Sequence, residues 1–248
     1  MIINAAPALQ NLLAQLSSAR LSSLLPVEVL VIKNLSEQKF LLQIKGQKLE
    51  VSTPKPLIVG EKYLASISHD TQNNTLFLKH FHKFPLKAEQ ALYSLEEVLR
   101  HFKTPSKEAV TQLHTQLLSS LSNASGKEEF SFLTQMLLGL NQGFVSLPFR
   151  YTAGFGLLQY KKRKRQGKQS QDEVQFYAHL KHLGPLDGLV GINDDEVYVH
   201  INVLFEESLT LLQGYADEFS FKSSLVIRLK EEISPLFALS EQILDINI

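Results

Sequence analysis

The spacing of apolar residues changes twice along this 248-residue chain, and this change constrains the fold more than any other feature. From residue 26 to 84 apolar and polar side chains alternate, as in Val27, Val29 and Val31. A period of two sends successive side chains to opposite faces of a β-strand. Five such stretches, separated by turn residues such as Gly46 and the Asn73-Asn74 pair, predict a small β-barrel-like module of the OB or SH3 kind at 26–84.

The regions on either side of this module have helical periodicity. Leucines at near-helical spacing predict an amphipathic helix within 1–25, which ends near Pro26. The helical period returns at 86–143 and predicts a helical connector, with breaks at Pro105 and Gly126. A first helix of the connector is predicted to place four apolar residues on one face: Leu92, Leu95, Val98 and Leu99.

Alternation resumes in the remaining residues, 144–248. It predicts four strands at 145–149, 154–160, 174–180 and 196–203. Residues 206–213 have the pattern of a helix, and 244–248 that of a last strand. The sequence therefore predicts an α+β fold, in which an antiparallel sheet with helices on one face forms the C-terminal domain.

The segment around residues 221–233 is ambiguous. Phe221, Leu225, Leu229 and Ile233 repeat every four residues, which predicts a second helix. Leu225, Ile227 and Leu229 would also suit a strand, so both interpretations stay open.

Composition excludes several classes of protein. The chain has no cysteine, so neither disulfides nor thiolate zinc sites can form. Its 25 basic residues balance 25 acidic ones, so net charge indicates no particular partner. Because no stretch has the length of a membrane span and no basic, apolar leader is visible, we expect a cytoplasmic protein without membrane insertion.

The strongest local charge feature is a basic run, which comprises Lys161, Lys162, Arg163, Lys164, Arg165 and Lys168. It lies between two predicted strands and is followed by Asp172 and Glu173, which favours a solvated hairpin tip. A docking surface for an acidic protein patch is the next interpretation. Nucleic-acid binding comes last, because no stacking aromatic residue is interleaved within the run.

The histidines do not form a convincing metal site. His80 and His82 would face one way on a strand, and His179 lies three residues before His182, but no third ligand occurs at a helpful spacing. Surface or interface histidines are the better interpretation, and His200 is predicted to face solvent. The run Asp194-Asp195-Glu196 fits a turn better than a calcium loop.

Motifs for catalysis and nucleotide binding are absent from the sequence. It contains no Gly-x-Ser-x-Gly elbow, no phosphate-binding glycine loop and no dinucleotide fingerprint, and Gly154-Phe155-Gly156 is only a fragment of a glycine motif. We therefore expect a non-enzymatic protein without a cofactor or metal. An enzyme that uses histidines and carboxylates in a cleft is the weakest alternative.

Two stretches carry a family resemblance: 42–63, with its strands around Gly46 and before Gly60, and 183–192, which precedes 197–201 and the 206–213 helix. The chain is similar here to the flagellar hook-length control protein family. The resemblance implies a barrel-like or disordered N-terminal part and a compact C-terminal α+β domain with a strand, turn, strand, helix core.

The same resemblance implies a function. Members of that family dock on the cytoplasmic face of the flagellar type III export gate and switch it from hook to filament substrates without chemistry of their own, so the partner would be an export-gate protein. Export through the same apparatus is compatible with this role. The expected contact surface is the basic run or the strand that carries Val197, Val199, Ile201 and Val203. The alternative is a nucleic-acid-binding protein that uses the OB-like module and the 161–168 loop.

Overall fold

The computed structural model describes residues 2–3, 25–70, 75–104, 106–152, 154–164, 172–193, 196–218 and 223–239. Several predictions lie outside them. These are the N-terminal helix within 1–25, the turns at 73–74 and 194–195, the loop residues Arg165 and Lys168, and the last strand at 244–248.

The chain divides into two compact units. The first contains the described residues up to Phe84 together with His182–Gly184 and Val203–Glu218, and the second contains Pro85–Lys181, Pro185–Asn202 and the described residues after Phe219. The division after Phe84 falls beside the predicted module boundary. The predicted helical connector at 86–143 is part of the second unit.

Six strands build the first unit: β1 (Ile2–Ile3), β2 (Val27–Ser36), β3 (Lys39–Ile44), β4 (Gln47–Ser52), β5 (Lys62–Asp70) and β6 (Thr75–Lys83). Their order is β1-β4-β3-β2-β5-β6, and β1 pairs with both β4 and β6, which closes the barrel. The five strands predicted at 26–84 are confirmed.

Alternation determines what this barrel buries. Val29, Val31, Leu42, Ile44 and Leu49 are fully buried, at 0 % exposure, while the residues between them face outward. The β3–β4 hairpin turns at Lys45-Gly46, where both residues have positive φ, of 46° and 81°. Two residues with positive φ match the right-handed twist of the strands they join.

The second unit comprises β7 (Tyr93–Ser94), α1 (Leu95–Lys103), α2 (Ser106–Ser122), α3 (Lys127–Asn141), β8 (Val145–Tyr151), β9 (Gly154–Lys164), β10 (Asp172–Leu180), β11 (Gly184–Asn193), β12 (Glu196–Val203) and β13 (Ser223–Leu229). The sheet order is β13-β12-β11-β10-β9-β8-β7. Strands β8, β9 and β10 pair antiparallel, and the short β7 pairs parallel with β8. The predicted α+β class is confirmed.

Periodicity alone did not determine two strands of the sheet. Of the two interpretations that stayed open around residues 221–233, the strand is confirmed and the helix is wrong, because Leu225, Val226 and Ile227 belong to β13 at the edge of the sheet. β-branched residues in succession favour extended backbone over helix. Strand β11 was not predicted from alternation, because Gly188 and Gly191 interrupt its apolar pattern.

The helix α4 (Glu206–Gly214) confirms the helix predicted at 206–213, but it belongs to the first unit and not to the C-terminal domain. Two hydrogen bonds explain this assignment. Ser66 Oγ of the barrel donates to Glu207 Oε2 at 2.9 Å, and Ser208 Oγ donates to the Leu183 carbonyl at 2.7 Å.

The second unit is buried most deeply at β8, where residues 145–149 are buried on both faces of the sheet. On one face, the Gln159 side-chain amide donates to Ser146 Oγ at 3.0 Å and to the Phe237 carbonyl at 2.8 Å. On the other face, Tyr160 packs against α1. Of the four apolar residues predicted to share a face of α1, only Val98 is buried, while Leu92, Leu95 and Leu99 are exposed.

Candidate functional site

The strand predicted to contact a partner, β12, lies inside the sheet between β11 and β13. Its backbone is therefore paired on both sides, and a partner could reach only its side chains. Val197, Val199 and Ile201 are half-buried. Val203 is fully buried and belongs to the first unit, so it is not available for contact with a partner.

The side chains of β12 that alternate with these valines lie on a polar face of the sheet. Tyr198 Oη donates to Glu173 of β10, and Asn202 Nδ2 donates to Asp187 of β11 at 2.7 Å. Lys230 forms an ion pair with the same Asp187 at 2.5 Å. These contacts show that residues 173, 187, 198 and 202 point to one side of the sheet.

The opposite side is apolar. Because side chains alternate along each strand, it carries Val174 and Phe176 of β10, Val190 and Ile192 of β11, Val197, Val199 and Ile201 of β12, and Leu225, Ile227 and Leu229 of β13. We call this set the apolar sheet face. The register is supported at Gly188, where an added Cβ would lie 2.8 Å from the ring of Phe176.

Exposure distinguishes this face from an ordinary core. Eight of its ten side chains are half-buried, and Ile192 and Leu229 are 54 % and 47 % exposed. Within the described part of the second unit, helices α1 and α3 pack on β8, at the other end of the sheet. A contiguous apolar surface of this kind is typical of sites that bind another protein.

The polar face contains a shallow depression of about 350 Å³, lined by Glu173, Leu189, Glu196, Val197, Tyr198, His200 and Ser224. Its buried carboxylate, on Glu173, accepts the hydrogen bond from Tyr198. Among the described residues, no three metal-binding side chains converge here or elsewhere. His200 is exposed, as predicted.

The described part of the basic run forms the end of β9. Lys162 and Arg163 are exposed, while the Lys161 ammonium lies 4.8 Å from the centre of the Phe144 ring. Pairing between β9 and β10 extends to Lys164 opposite Asp172, so the run continues from paired strands, as the hairpin interpretation predicts. Attraction between Lys161 and the aromatic face fixes that side chain.

The predicted pairs of histidines separate in the structure. A bulge in β6 lies between the pairs Leu64–His82 and Ser66–Lys79, and His80 within it has a φ of 55°. His80 is exposed, whereas His82 is half-buried. Burial, together with the nearby Lys55 ammonium, lowers the pKa of His82 to about 4.

His179 does not follow the surface prediction, while His182 does. The imidazole of His179 is completely buried, with Nδ1 3.3 Å from the Tyr177 hydroxyl, and His182 is exposed. Burial raises the pKa of Tyr177 above its ordinary value. Inward alternation with Tyr177 on β10 was the sequence signal that could have identified His179 as a core residue.

The exposure of aromatic rings on the barrel indicates whether it could bind nucleic acid. Single-stranded nucleic acids bind to barrels of this type by stacking their bases on exposed aromatic rings. In the described part of the barrel, Phe40 and Tyr63 are buried, and the half-buried Phe81 packs edge-on against Tyr63, with centroids 6.2 Å apart. Phe77 is half-buried as well. No described ring of the barrel is therefore fully presented to a base.

None of the described helices has the length and apolar character needed to cross a membrane.

One comparison with known proteins finds a similarity in the N-terminal module. Residues 8–79 match the model of the TP0910 S1-like domain, which covers less than a third of the chain. No curated protein and no solved structure matches the chain. The N-terminal module is thus similar to an S1-like domain, an OB-type barrel of the kind used to bind nucleic acids or proteins.

Proposed function

We propose that this chain is a non-enzymatic protein-binding factor, and that the apolar sheet face is its contact surface. The observation that carries this proposal is the half-exposed set of ten apolar side chains on β10–β13. Removing apolar area from water contributes about 25 cal/mol per Å², so covering this face with a partner would stabilise a complex.

The partner we propose is an export-gate protein of the flagellar type III apparatus. This finer assignment rests on the resemblance to hook-length control proteins. Two observations are compatible with it: the match of residues 8–79 to an S1-like barrel, and the presence of a sheet strand at 184–193, within the stretch where the resemblance expects its strand, turn, strand core. In this role the chain would switch the export gate from hook to filament substrates.

A second candidate is a nucleic-acid-binding protein, which the S1-like match favours. The buried aromatic rings of the barrel weigh against it, as does the even balance of 25 basic and 25 acidic residues. Strongly salt-dependent binding of single-stranded RNA or DNA would support this candidate.

The test is hook length, measured by electron microscopy in a deletion strain of the organism that encodes the chain. We expect overlong hooks without filaments, and rescue by the wild-type gene. Val199→Asp should fail to rescue, because a carboxylate in the contact surface would lose its hydration on binding. His200→Asp is the matched control, since it places the same charge one residue away on the polar face.

Each outcome has a clear meaning. Normal hooks in the deletion strain would overturn the export-switch assignment. Rescue by both variants would instead show that the apolar sheet face is not the contact surface. Unfolding of Val199→Asp is checked beforehand by circular dichroism and thermal melting of both purified variants.

A further inference from the structure

Helix α1 presents a second apolar surface, which adjoins the apolar sheet face through Tyr160, the cross-strand partner of Phe176. Leu95, Leu99 and Phe102 follow one another at helical spacing and are 40 %, 54 % and 52 % exposed. We call these three residues the helix ridge. Residues seven positions apart on a helix are separated by about 10 Å, so the ridge spans two turns.

The fold uses one residue of the helix ridge, Phe102, whose ring lies 5.4 Å from that of Tyr160. Helix α1 is held by other contacts, namely the buried Val98 and the His101 imidazole, whose Nε2 lies 2.6 Å from the Tyr160 hydroxyl. Its N-terminus is closed by a reciprocal capping box between Ser94 and Glu97. Leu95 and Leu99 therefore remain exposed although α1 is held in place by other residues.

Cations flank the ridge on both sides. On the helix, Lys103 lies four residues after Leu99 and is therefore its neighbour on the surface, whereas Arg100 lies on the side of Glu97. On the sheet, the Phe102 ring lies 5.4 Å from that of Tyr160, and Lys162 is the next residue on the same face of β9. The carboxylate of Glu96 stands beside the ridge in the first turn of α1.

The helix dipole accounts for only part of this charge. Basic residues in the last turn of a helix stabilise its C-terminal carbonyl groups, which explains Arg100 and Lys103. Lys162 is on a strand, so that explanation does not apply to it. Lys103 and Lys162 form no ion pair within the described part of the chain, whereas the charge of Arg100 acts on Glu97.

We propose that the helix ridge binds an amphipathic helix of a partner protein, whose apolar stripe is flanked by carboxylates. Three anchors over two turns fit the recognition of a helix by matching apolar residues at positions i, i+4 and i+7. The flanking cations select for acidic flanks on that helix. The ridge adjoins the apolar sheet face at Tyr160, but the proposal does not depend on the export-gate assignment.

The experiment uses the full chain and three synthetic helical peptides, followed by fluorescence anisotropy. One peptide carries leucines at i, i+4 and i+7 with glutamates beside them, the second has lysines in place of the glutamates, and the third is a scrambled acidic sequence. We expect the acidic amphipathic peptide to bind at least about tenfold more tightly than either of the others, a difference of about 1.4 kcal/mol.

Variants then locate the binding surface. Leu99→Ser should weaken binding of the acidic peptide by about tenfold or more, whereas Leu138→Ser, at a position on α3 that is 41 % exposed, should not. The double change Lys103→Glu and Lys162→Glu should reverse the preference between the acidic and basic peptides. Since all these positions are exposed, thermal melting is expected to change little.

Equal binding of the three peptides would overturn the proposal. So would a loss caused equally by Leu99→Ser and Leu138→Ser, or an unchanged preference after the charge reversal. None of these outcomes bears on hook length, so failure of the ridge and failure of the proposed function remain distinguishable.

Discussion

The barrel of the first unit and the outer half of the sheet in the second unit use the same alternating pattern in different ways. In the barrel, the inward residues of β2, β3 and β4 are fully buried, because the ladder closes through β1. In the open sheet, the corresponding apolar residues of β11, β12 and β13 stay half-exposed. Closure of the barrel thus buries its apolar residues, which stabilises the fold. The open sheet leaves its apolar residues partly exposed, so that they can contact a partner.

The two faces of the outer half of the sheet differ in their side chains. A closed barrel has one outer face, whereas an open sheet has two faces. One carries the hydrogen bonds of Asp187 and Tyr198, and the other carries Val197, Val199 and Ile201. A partner could therefore contact Val197, Val199 and Ile201 without breaking the hydrogen bonds on the opposite face.

The largest expected effect separates the two regions by stability. Leu42→Ala, at a fully buried barrel position, should cost about 2–5 kcal/mol, because it removes packing and leaves a cavity. Val199→Ala on the apolar sheet face should cost less than about 1 kcal/mol, since its side chain is already in partial contact with water. Hydrogen exchange of the full chain, resolved by peptide, measures both. Equal costs would break the comparison.

The second effect is acid sensitivity of the barrel. The pKa of His82 is about 4 in the folded chain and near 6.5 when unfolded, so below pH 6.5 the unfolded state binds more protons. Stability is complete above pH 6.5 and falls as the pH drops toward 4, by about 3 kcal/mol in all. Denaturant unfolding between pH 4 and 7.5 measures this loss.

His82→Asn should remove most of that acid loss. His80→Asn, at an exposed position in the same bulge, is the matched control and should retain it. The pH dependence would have another source if both variants kept the same profile.

The third effect concerns the contact between β11 and its neighbours. A Cβ at Gly188 would collide with the His200 carbonyl oxygen and the Phe176 ring, so Gly188→Ala must shift a strand and should cost about 1–3 kcal/mol. Gly214→Ala, where the added Cβ meets open space in α4, is the control and should cost nothing measurable. Thermal melting of both variants tests this, and equal melting temperatures would show that the outer strands tolerate displacement.

The smallest expected effect is at the N-terminus of α1. Hydrogen bonds from the Ser94 backbone and side chain lower the pKa of the Glu97 carboxyl, and Ser94→Ala should cost about 1 kcal/mol at neutral pH. Because the pKa of Glu97 is lower in the folded state, its contribution is present above the ordinary pKa of glutamate and disappears as the pH falls through the folded value. A cost of Ser94→Ala that is independent of pH from 2 to 7 would contradict this.

Much of the secondary structure was predictable from local pattern. Five of the six barrel strands, the helix at 206–214 and four strands of the sheet follow from alternation or helical spacing. The errors occurred where local pattern permits two answers. Leu225 and Leu229 satisfy both periods. The glycines of β11 interrupt its alternation at the positions where Phe176 and Tyr198 pack over them.

The candidate surfaces were predicted only in part. Val197, Val199 and Ile201 were expected to contact a partner, and they do lie on a half-exposed face, but Val203 of the same strand is buried. Leu95 and Leu99 were expected to share a helix face with Val98, and only the structure shows them exposed while Val98 is buried. Spacing defines an apolar face but not whether something packs against it.

The sequence by itself determined the alternation of side chains, the turns and the absence of catalytic motifs, because these depend on neighbours along the chain. Only the tertiary structure decided which apolar faces are covered, that a β6 bulge separates His80 from His82, and that Tyr160 of β9 lies beside α1. Those features depend on contacts between residues that are distant in sequence, and the energy of such contacts is not encoded in any local window.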